Sequence, residues 1–126
     1  MKSKYLILSL FFLFGMNIVS GQSFDLIIKG KNYASIESLL DDEIDLCLMD
    51  DTQINSRAEA MTRIRSFLNK YTISNIETLH KGTSDSSGSR YNVFKLHTDS
   101  GLIRAFVYYE SKDRSEFIKE LRFDKF

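Results

Sequence analysis

The clearest alternation of hydrophobic and polar positions runs from Arg90 to Tyr109 and reads RYNVFKLHTDSGLIRAFVYY. Two strand-like runs flank Asp99-Ser100-Gly101, a sequence typical of a turn. A two-residue turn at Ser100-Gly101 sets Asp99 opposite Leu102 and fixes every later pair of the hairpin. One face then carries Phe94, Leu96, Ile103, Ala105, Val107 and Tyr109, which predicts a core face. The opposite face carries Tyr91, Val93, Lys95, His97, Arg104, Phe106 and Tyr108.

The strongest helical pattern predicts a helix over Arg57–Lys70. Ser56 is a typical N-cap residue, and Glu59 three positions later completes a capping box. The apolar residues that follow have the spacing of a helix with one face against a core. They are Ala60, Met61, Ile64, Phe67, Leu68 and Tyr71.

The rest of the pattern predicts shorter elements. Residues Phe24–Leu40 are predicted to form one bent helix or two short ones, with Gly30 as the break and Asn32 as a second cap. The other predicted elements are a strand over 44–49, a turn over 50–53, a strand over Thr72–Gly82 and a last strand around Leu121 and Phe123. This order predicts an α+β fold in which N-terminal helices pack on one side of a curved antiparallel sheet.

Residues 1–21 have the composition of a cleaved signal peptide. Lys2 and Lys4 precede the apolar run Tyr5–Met16, and small or modest-sized residues follow at Val19-Ser20-Gly21. The alternative is a membrane anchor, but the run is shorter than the ~20 residues that a spanning helix needs. We therefore predict a signal peptide over 1–21 and a single domain over 22–126. The protein is then exported, periplasmic or secreted, and has no membrane anchor after cleavage.

Charge and cysteine content argue against several classes of function. The chain has 17 Lys and Arg against 17 Asp and Glu, and removal of 1–21 takes away two lysines and no acid, which leaves a net charge of about −2. Such a domain has no electrostatic reason to bind nucleic acid. Cys47 is the only cysteine, so an internal disulfide is excluded. The two histidines lack ligand spacing, and no metal site or cofactor is predicted.

The layout of several segments is distinctive. The signal segment and the helix–strand–helix opening are followed by His80-Lys81-Gly82 before a Ser-rich loop, by Tyr91 at the start of the hairpin, and by Glu120-Leu121-Arg122-Phe123. In these features the chain resembles the domain-of-unknown-function-4783 family of exported Bacteroidota proteins over essentially its whole length. The resemblance implies the cone-shaped fold of nuclear transport factor 2, which ketosteroid isomerase and scytalone dehydratase share. That family has no assigned activity, so the resemblance implies a fold and a compartment without a reaction.

A cone fold of this kind leaves a cavity at its wide end. Such cavities can run acid–base chemistry with an Asp or His base and a Tyr donor, and the residues of suitable type are Tyr33, Asp45, His80 and Tyr91. No pair of them has a fixed spacing, so we assign no catalytic residue. The cavity can instead hold an apolar small ligand, with Tyr33, His80 and Tyr109 as its predicted lining. In the alternative, the cone is filled by Phe94, Leu96, Phe117 and Phe123.

The second face of the hairpin is unusually aromatic for a face in contact with water. In the register above, Val93 meets Tyr108, with Tyr91 and Phe106 beside them. A contiguous exposed patch of this kind usually marks an interface, whereas the alternative is good strand formers at exposed positions. We predict that Tyr91, Val93, Phe106 and Tyr108 form a homodimer or partner contact. The predicted function is an exported binding or protein-interaction domain, and the alternative is a small-molecule carrier or enzyme that uses the cone cavity.

Overall fold

The computed structural model describes residues 23–83 and 88–126. Its elements in these ranges are α1 (Phe24–Lys29), α2 (Tyr33–Leu39), β1 (Leu40–Leu48), β2 (Asp51–Ser56), α3 (Arg57–Leu68), β3 (Ile73–Thr83), β4 (Arg90–Thr98), β5 (Gly101–Lys112) and β6 (Ser115–Lys125). The predicted signal peptide lies outside the described residues, as does the middle of the predicted Ser-rich loop. None of the described helices is long and apolar enough to cross a membrane.

All six strands form one sheet in the order β2-β1-β6-β5-β4-β3. Its neighbouring pairs are antiparallel except β1 and β6, which run parallel. The sheet is therefore mixed, whereas the sequence pattern predicts a purely antiparallel sheet. The physical reason is that β1 enters the sheet beside the last strand, and no local pattern signals such a distant pairing. The helices bury their apolar residues in one cluster with one face of the sheet. The fold is therefore α+β as the sequence pattern predicts, and it fits the cone that the family resemblance implies.

Strand β2 occupies residues for which the sequence predicts only a turn. The turn is confined to Met49 and Asp50, and β2 then pairs antiparallel with β1. Asn55 is the one buried residue within β2, and Ile54 is 72% exposed. The strand lies at the edge of the sheet, and for this reason it lacks the alternation that marks a half-buried strand.

The opening helical segment consists of two short helices, one of the two predicted arrangements. Helix α1 ends at Gly30, and Lys31 adopts a φ of 51° that turns the chain. Asn32 caps α2 by accepting a hydrogen bond from the backbone N–H of Ser35 at 3.2 Å. The predicted break and the predicted cap are therefore both present.

Helix α3 begins at the predicted capping residue. The hydroxyl of Ser56 accepts a hydrogen bond from the backbone N–H of Glu59 at 3.3 Å and donates one to the carboxylate of Glu59 at 2.9 Å. The helix ends at Leu68, two residues before the predicted end. Its buried residues are those of the predicted apolar stripe: Ala60, Met61, Ile64, Phe67 and Leu68.

The β4–β5 hairpin has the predicted faces but a different pairing. Thr98 pairs with Gly101 and Val93 with Phe106, because the turn is at Asp99-Ser100 and not at Ser100-Gly101. Gly101 follows the turn with a φ of 112°, a backbone conformation that favours glycine. The offset from the predicted register is even, so the faces are not exchanged. The predicted core face is buried throughout: Phe94, Leu96, Ile103, Ala105, Val107 and Tyr109.

The interior of the cone is filled by side chains. Phe24 of α1 stacks on Phe94 with the ring centroids 6.1 Å apart, and the fully buried residues include Leu96, Leu121 and Phe123. Phe117, a core residue in the filled-cone alternative, is only half-buried. It is the strand neighbour of Glu110, and its side chain lies on the side of the sheet opposite the core. A bulge at Lys119 is responsible, because one extra residue exchanges the faces of a strand.

Candidate functional site

A cleft of about 400 Å³ opens between α1 and the β3–β6 part of the sheet. The buried rings of Phe24 and Phe94 contribute to its apolar part. Its polar lining includes Ser23, Asp25, Thr78, Lys81, Arg90, Asn92 and Glu116. Two of these residues are acidic and two are basic, so the lining has no net formal charge.

Arg90 is the centre of a hydrogen-bonded network in this cleft. Its Nε donates to Oε2 of Glu116 at 2.6 Å, and its guanidinium lies 3.9 Å from the ring centroid of Tyr109. With its amide oriented to satisfy both neighbours, Asn92 accepts a hydrogen bond from Nη1 of Arg90 at 3.2 Å. Burial raises the pKa of Tyr109 to about 12, and the hydrogen bond to Glu116 raises the pKa of Arg90. The network therefore presents fixed donors and acceptors at neutral pH.

Of the three residues predicted to line a cavity, the structure places Tyr109 on the cleft and Tyr33 elsewhere. The hydroxyl of Tyr33 donates to Oδ1 of Asn69 at 2.6 Å, and the guanidinium of Arg65 lies 4.4 Å from its ring centroid. Tyr33 begins α2, and both of its partners lie at the end of α3. Its side chain therefore joins two helices and does not line the cleft.

A bulge in β3 moves His80 away from the cleft as well. In a regular strand His80 would share a face with Ile76 and Thr78, as the sequence analysis assumed. The pairs Thr78–Phe94 and His80–Val93 leave Leu79 without a partner, and the faces are exchanged beyond that point. The ring of His80 consequently lies edge-on to Tyr91, with the centroids 6.4 Å apart.

The charged lining of the cleft was missed by sequence reasoning. Asn92 and Arg90 lie two and four residues before Phe94 on β4, and therefore on the same face of the strand as Phe94. Polar residues at these core-face positions were the sequence signal that could have identified them. Lys81 and Glu116 reach the cleft beyond the bulges at Leu79 and Lys119. No periodic pattern in the sequence predicts those bulges.

The predicted aromatic patch lies on the side of the sheet that faces away from the helices. We call the patch formed by Tyr91, Val93, Phe106 and Tyr108 the outer face. Tyr91 stacks on Phe106 with ring centroids 5.8 Å apart and an interplanar angle of 30°, and Tyr91 pairs with Tyr108 across the strands. The ring of Tyr91 also covers Gly82, where an added Cβ would collide with it. All four residues of the outer face are half-buried.

The surface around the outer face differs in charge at its two ends. Beside Tyr108 lies a depression of about 340 Å³, which we call the acidic depression. Its charged lining consists of four acids and one base: Glu43, Asp45, Glu110, Glu120 and Lys119. Toward the other end of the strands, the Lys95 ammonium and the Arg104 guanidinium lie 4.6 and 5.0 Å from the ring centroid of Phe126. We call these three residues the cationic end. Phe126 is 49% exposed, so about half of this apolar residue is open to solvent beside the two cations.

Of the four residues considered for catalysis, the structure brings together only His80 and Tyr91, whose rings lie edge-on. Asp45 is a strand neighbour of Glu120 and Ile54 and lines the acidic depression, whereas Tyr33 joins two helices. Within the residues that the structure describes, no group of three His, Cys, Asp or Glu side chains could hold a metal ion.

Comparison with known proteins places this architecture in a family. A DUF4783 family protein from Bacteroides ovatus matches with a TM-score of 0.74 at 19% identity, over 81% of this chain and 91% of that one. A DUF4783 family protein from Bacteroides fragilis matches with a TM-score of 0.74 at 20% identity, over 81% and 94%. A protein named Rd1NTF2_04 with long sheet has a TM-score of 0.64 at 21% identity, over 79% and 92%.

At these identities the solved structures show the fold alone, and that fold is the cone. No curated protein matches the chain. The family described as domain of unknown function (DUF4783) matches residues 22–124, which is most of the chain. This protein therefore belongs to the DUF4783 family.

Proposed function

We propose that this protein is an exported protein-interaction module that works through the outer face of its sheet. Export is supported by the charged start and apolar run of residues 1–21. The observation that carries the interaction role is the half-exposed stack of Tyr91 on Phe106, extended by Val93 and Tyr108. Aromatic residues are enriched in interfaces, and a contiguous apolar patch on a monomer usually marks a contact site.

The outer face is formed before any partner arrives. The ring of Tyr91 is held from three sides, by Gly82 beneath it, by the ring of Phe106 at 5.8 Å and by the ring of His80 at 6.4 Å. A side chain that is already ordered loses little rotamer entropy on binding, which favours association. Rings that served only as strand formers would need no such support, so their packing favours a binding role.

Photo-crosslinking in the producing cell tests this proposal. A photoreactive phenylalanine analogue replaces Phe106 in one variant and Leu26 in a matched control, since Leu26 is 55% exposed on α1. We expect protein adducts of discrete mass from position 106 and none from position 26. Absence of adducts from position 106, or the same adducts from both positions, would contradict the proposal.

The cleft supports a second candidate function, the carriage of a small polar ligand. Its volume of about 400 Å³ lies within the ~300–1,000 Å³ of small-molecule sites. Fixed hydrogen-bonding groups on Arg90, Asn92 and Glu116 favour a ligand with polar groups over a wholly apolar one. A thermal-shift screen with small polar metabolites tests this candidate. A rise in Tm that is lost in Arg90→Gln would support it, and no rise with any compound would count against it.

A further inference from the structure

We infer that the partner of the outer face is a second copy of this chain, docked with its strands antiparallel to those of the first. This inference rests on the proposed function and names the occupant of the same surface. It follows from the charge at the two ends of the surface. The acidic depression has four carboxylates and one ammonium, that of Lys119, and its Glu120 lies 3.6 Å from Arg122 of the same chain. The cationic end has Lys95, Arg104 and the half-exposed ring of Phe126, with the acids Glu77 and Asp124 as strand neighbours of the two cations.

The shapes of the two ends also correspond. The acidic depression is a hollow of about 340 Å³ whose lining includes Ile54 and Tyr108 as well as the carboxylates. Phe126 is a half-exposed ring with two cations within 5.0 Å of its centroid. Seated in the hollow of a partner, the ring would contact apolar atoms while Lys95 and Arg104 met carboxylates. Opposite charges placed across an interface steer association and fix its register.

Two-fold symmetry limits the ways in which this surface can meet its own copy. A two-fold axis that runs across the strands, through the paired Val93 and Phe106, reverses the strand direction and sets each end on the opposite end of the partner. Tyr108 then faces the partner's Arg104. A two-fold axis along β5 would instead place Arg104 on Arg104 and would leave the acidic depression away from the partner's cationic end. Like charges in such contact are unfavourable, so the axis across the strands is selected.

The remaining charge near the centre is balanced within one chain. Arg122 pairs with Phe106 across β5 and β6 and therefore lies close to the proposed axis, where it would approach its own copy. Its guanidinium is 3.6 Å from a carboxylate oxygen of Glu120 and 4.0 Å from one of Asp124. The two acids reduce the repulsion between the arginines. The contact is isologous and closes on itself, so the expected assembly is a dimer.

Cysteine cross-linking between two variants of the full chain distinguishes the two axes. Facing sheets lie ~10 Å apart, beyond the reach of a disulfide, so the reagent is a short bismaleimide. Tyr108→Cys and Arg104→Cys are prepared separately, one of them with a mass tag, and are treated alone and as a mixture. The unsubstituted chain is the control, because its Cys47 is buried. We expect a cross-linked product between the two variants in the mixture and its loss when either is treated alone.

The other outcomes each have a defined meaning. Products from each variant alone, without the mixed product, would overturn the antiparallel arrangement. No product in any sample, together with a monomeric mass for the unsubstituted chain in light scattering, would overturn the second copy as partner. That result leaves the proposed function intact if position 106 still gives adducts of a different protein in the cell. Absence of both the cross-links and the adducts would remove both proposals.

Discussion

Replacing Asp41 with asparagine removes a buried carboxylate that two lysines hold in place. The side chain of Asp41 is 7% exposed, and its Oδ2 accepts from Nζ of Lys112 at 2.7 Å and from Nζ of Lys119 at 3.3 Å. Its Oδ1 accepts from the backbone N–H of Asp42 at 2.8 Å. Asparagine keeps the size of the side chain and loses its charge, so the variant isolates the electrostatic contribution of this site.

The hydrogen bond from Lys112 is the largest cause that lowers the pKa of Asp41 from 3.8 to about 2. A shift of that size corresponds to ~2.5 kcal/mol at ~1.4 kcal/mol per pKa unit. Because the side chain of Lys112 is half-exposed, solvent and salt screen the pair, and we expect ~1–2 kcal/mol. A pKa lowered by folding contributes stability above the unfolded pKa. That stability is lost as the pH falls through 4 toward 2.

Urea unfolding of wild type and Asp41→Asn at neutral pH, pH 4 and pH 2 measures this effect. We expect the variant to be less stable at neutral pH and the difference to close as the pH approaches 2. Asp42→Asn is the matched control, since Asp42 is exposed and forms a surface ion pair with Arg57 at 2.8 Å; its cost should stay below ~1 kcal/mol. A difference between wild type and Asp41→Asn that does not change with pH would refute the electrostatic origin.

Three further predictions follow from the packing and from the first segment. Phe67→Ala should lower the free energy of unfolding by ~3–5 kcal/mol, because the ring of Phe67 packs on Tyr71 and Phe123 with ring centroids 5.2 Å apart. A loss below ~1 kcal/mol in urea unfolding would mean that α3 docks differently. Gly82→Ala should push the ring of Tyr91 off Phe106 and change the near-ultraviolet circular dichroism, and an unaltered spectrum would disprove this role of Gly82. Intact-mass analysis of the exported protein should give a chain that begins at Gln22, whereas a product that keeps residues 1–16 would rule out the signal peptide.

The faces of the central hairpin could be predicted from sequence because they depend only on parity. The turn lies at Asp99-Ser100 and not one residue later, yet the pairing shifts by an even number and Phe94 remains in the core. The helix α3 was equally accessible, since Ser56 and the apolar stripe are local signals. Each of these features is encoded within a few residues of where it appears.

The features that the sequence did not reveal depend on contacts between distant segments. The bulge at Leu79 turns His80 to the side of Tyr91, and the bulge at Lys119 turns Phe117 away from the core. A bulge adds one residue to a strand and requires no distinctive residue type, so the sequence pattern does not show where it occurs. The charged cleft depends on these same bulges, because Lys81 and Glu116 lie beyond them. For this reason the candidate site was harder to predict than the fold.

Sedimentation velocity over a range of concentrations tests most directly whether the outer face binds a second copy of this chain. The samples are residues 22–126, which carry all the described elements, as wild type, as Phe106→Glu and as Leu26→Glu. Phe106→Glu places a charge in a contact that would lose its water, whereas Leu26→Glu places the same charge on an exposed helix position. We expect wild type and Leu26→Glu to sediment as dimers and Phe106→Glu to sediment as a folded monomer. A Phe106→Glu variant that sediments as wild type does at every concentration would contradict this expectation.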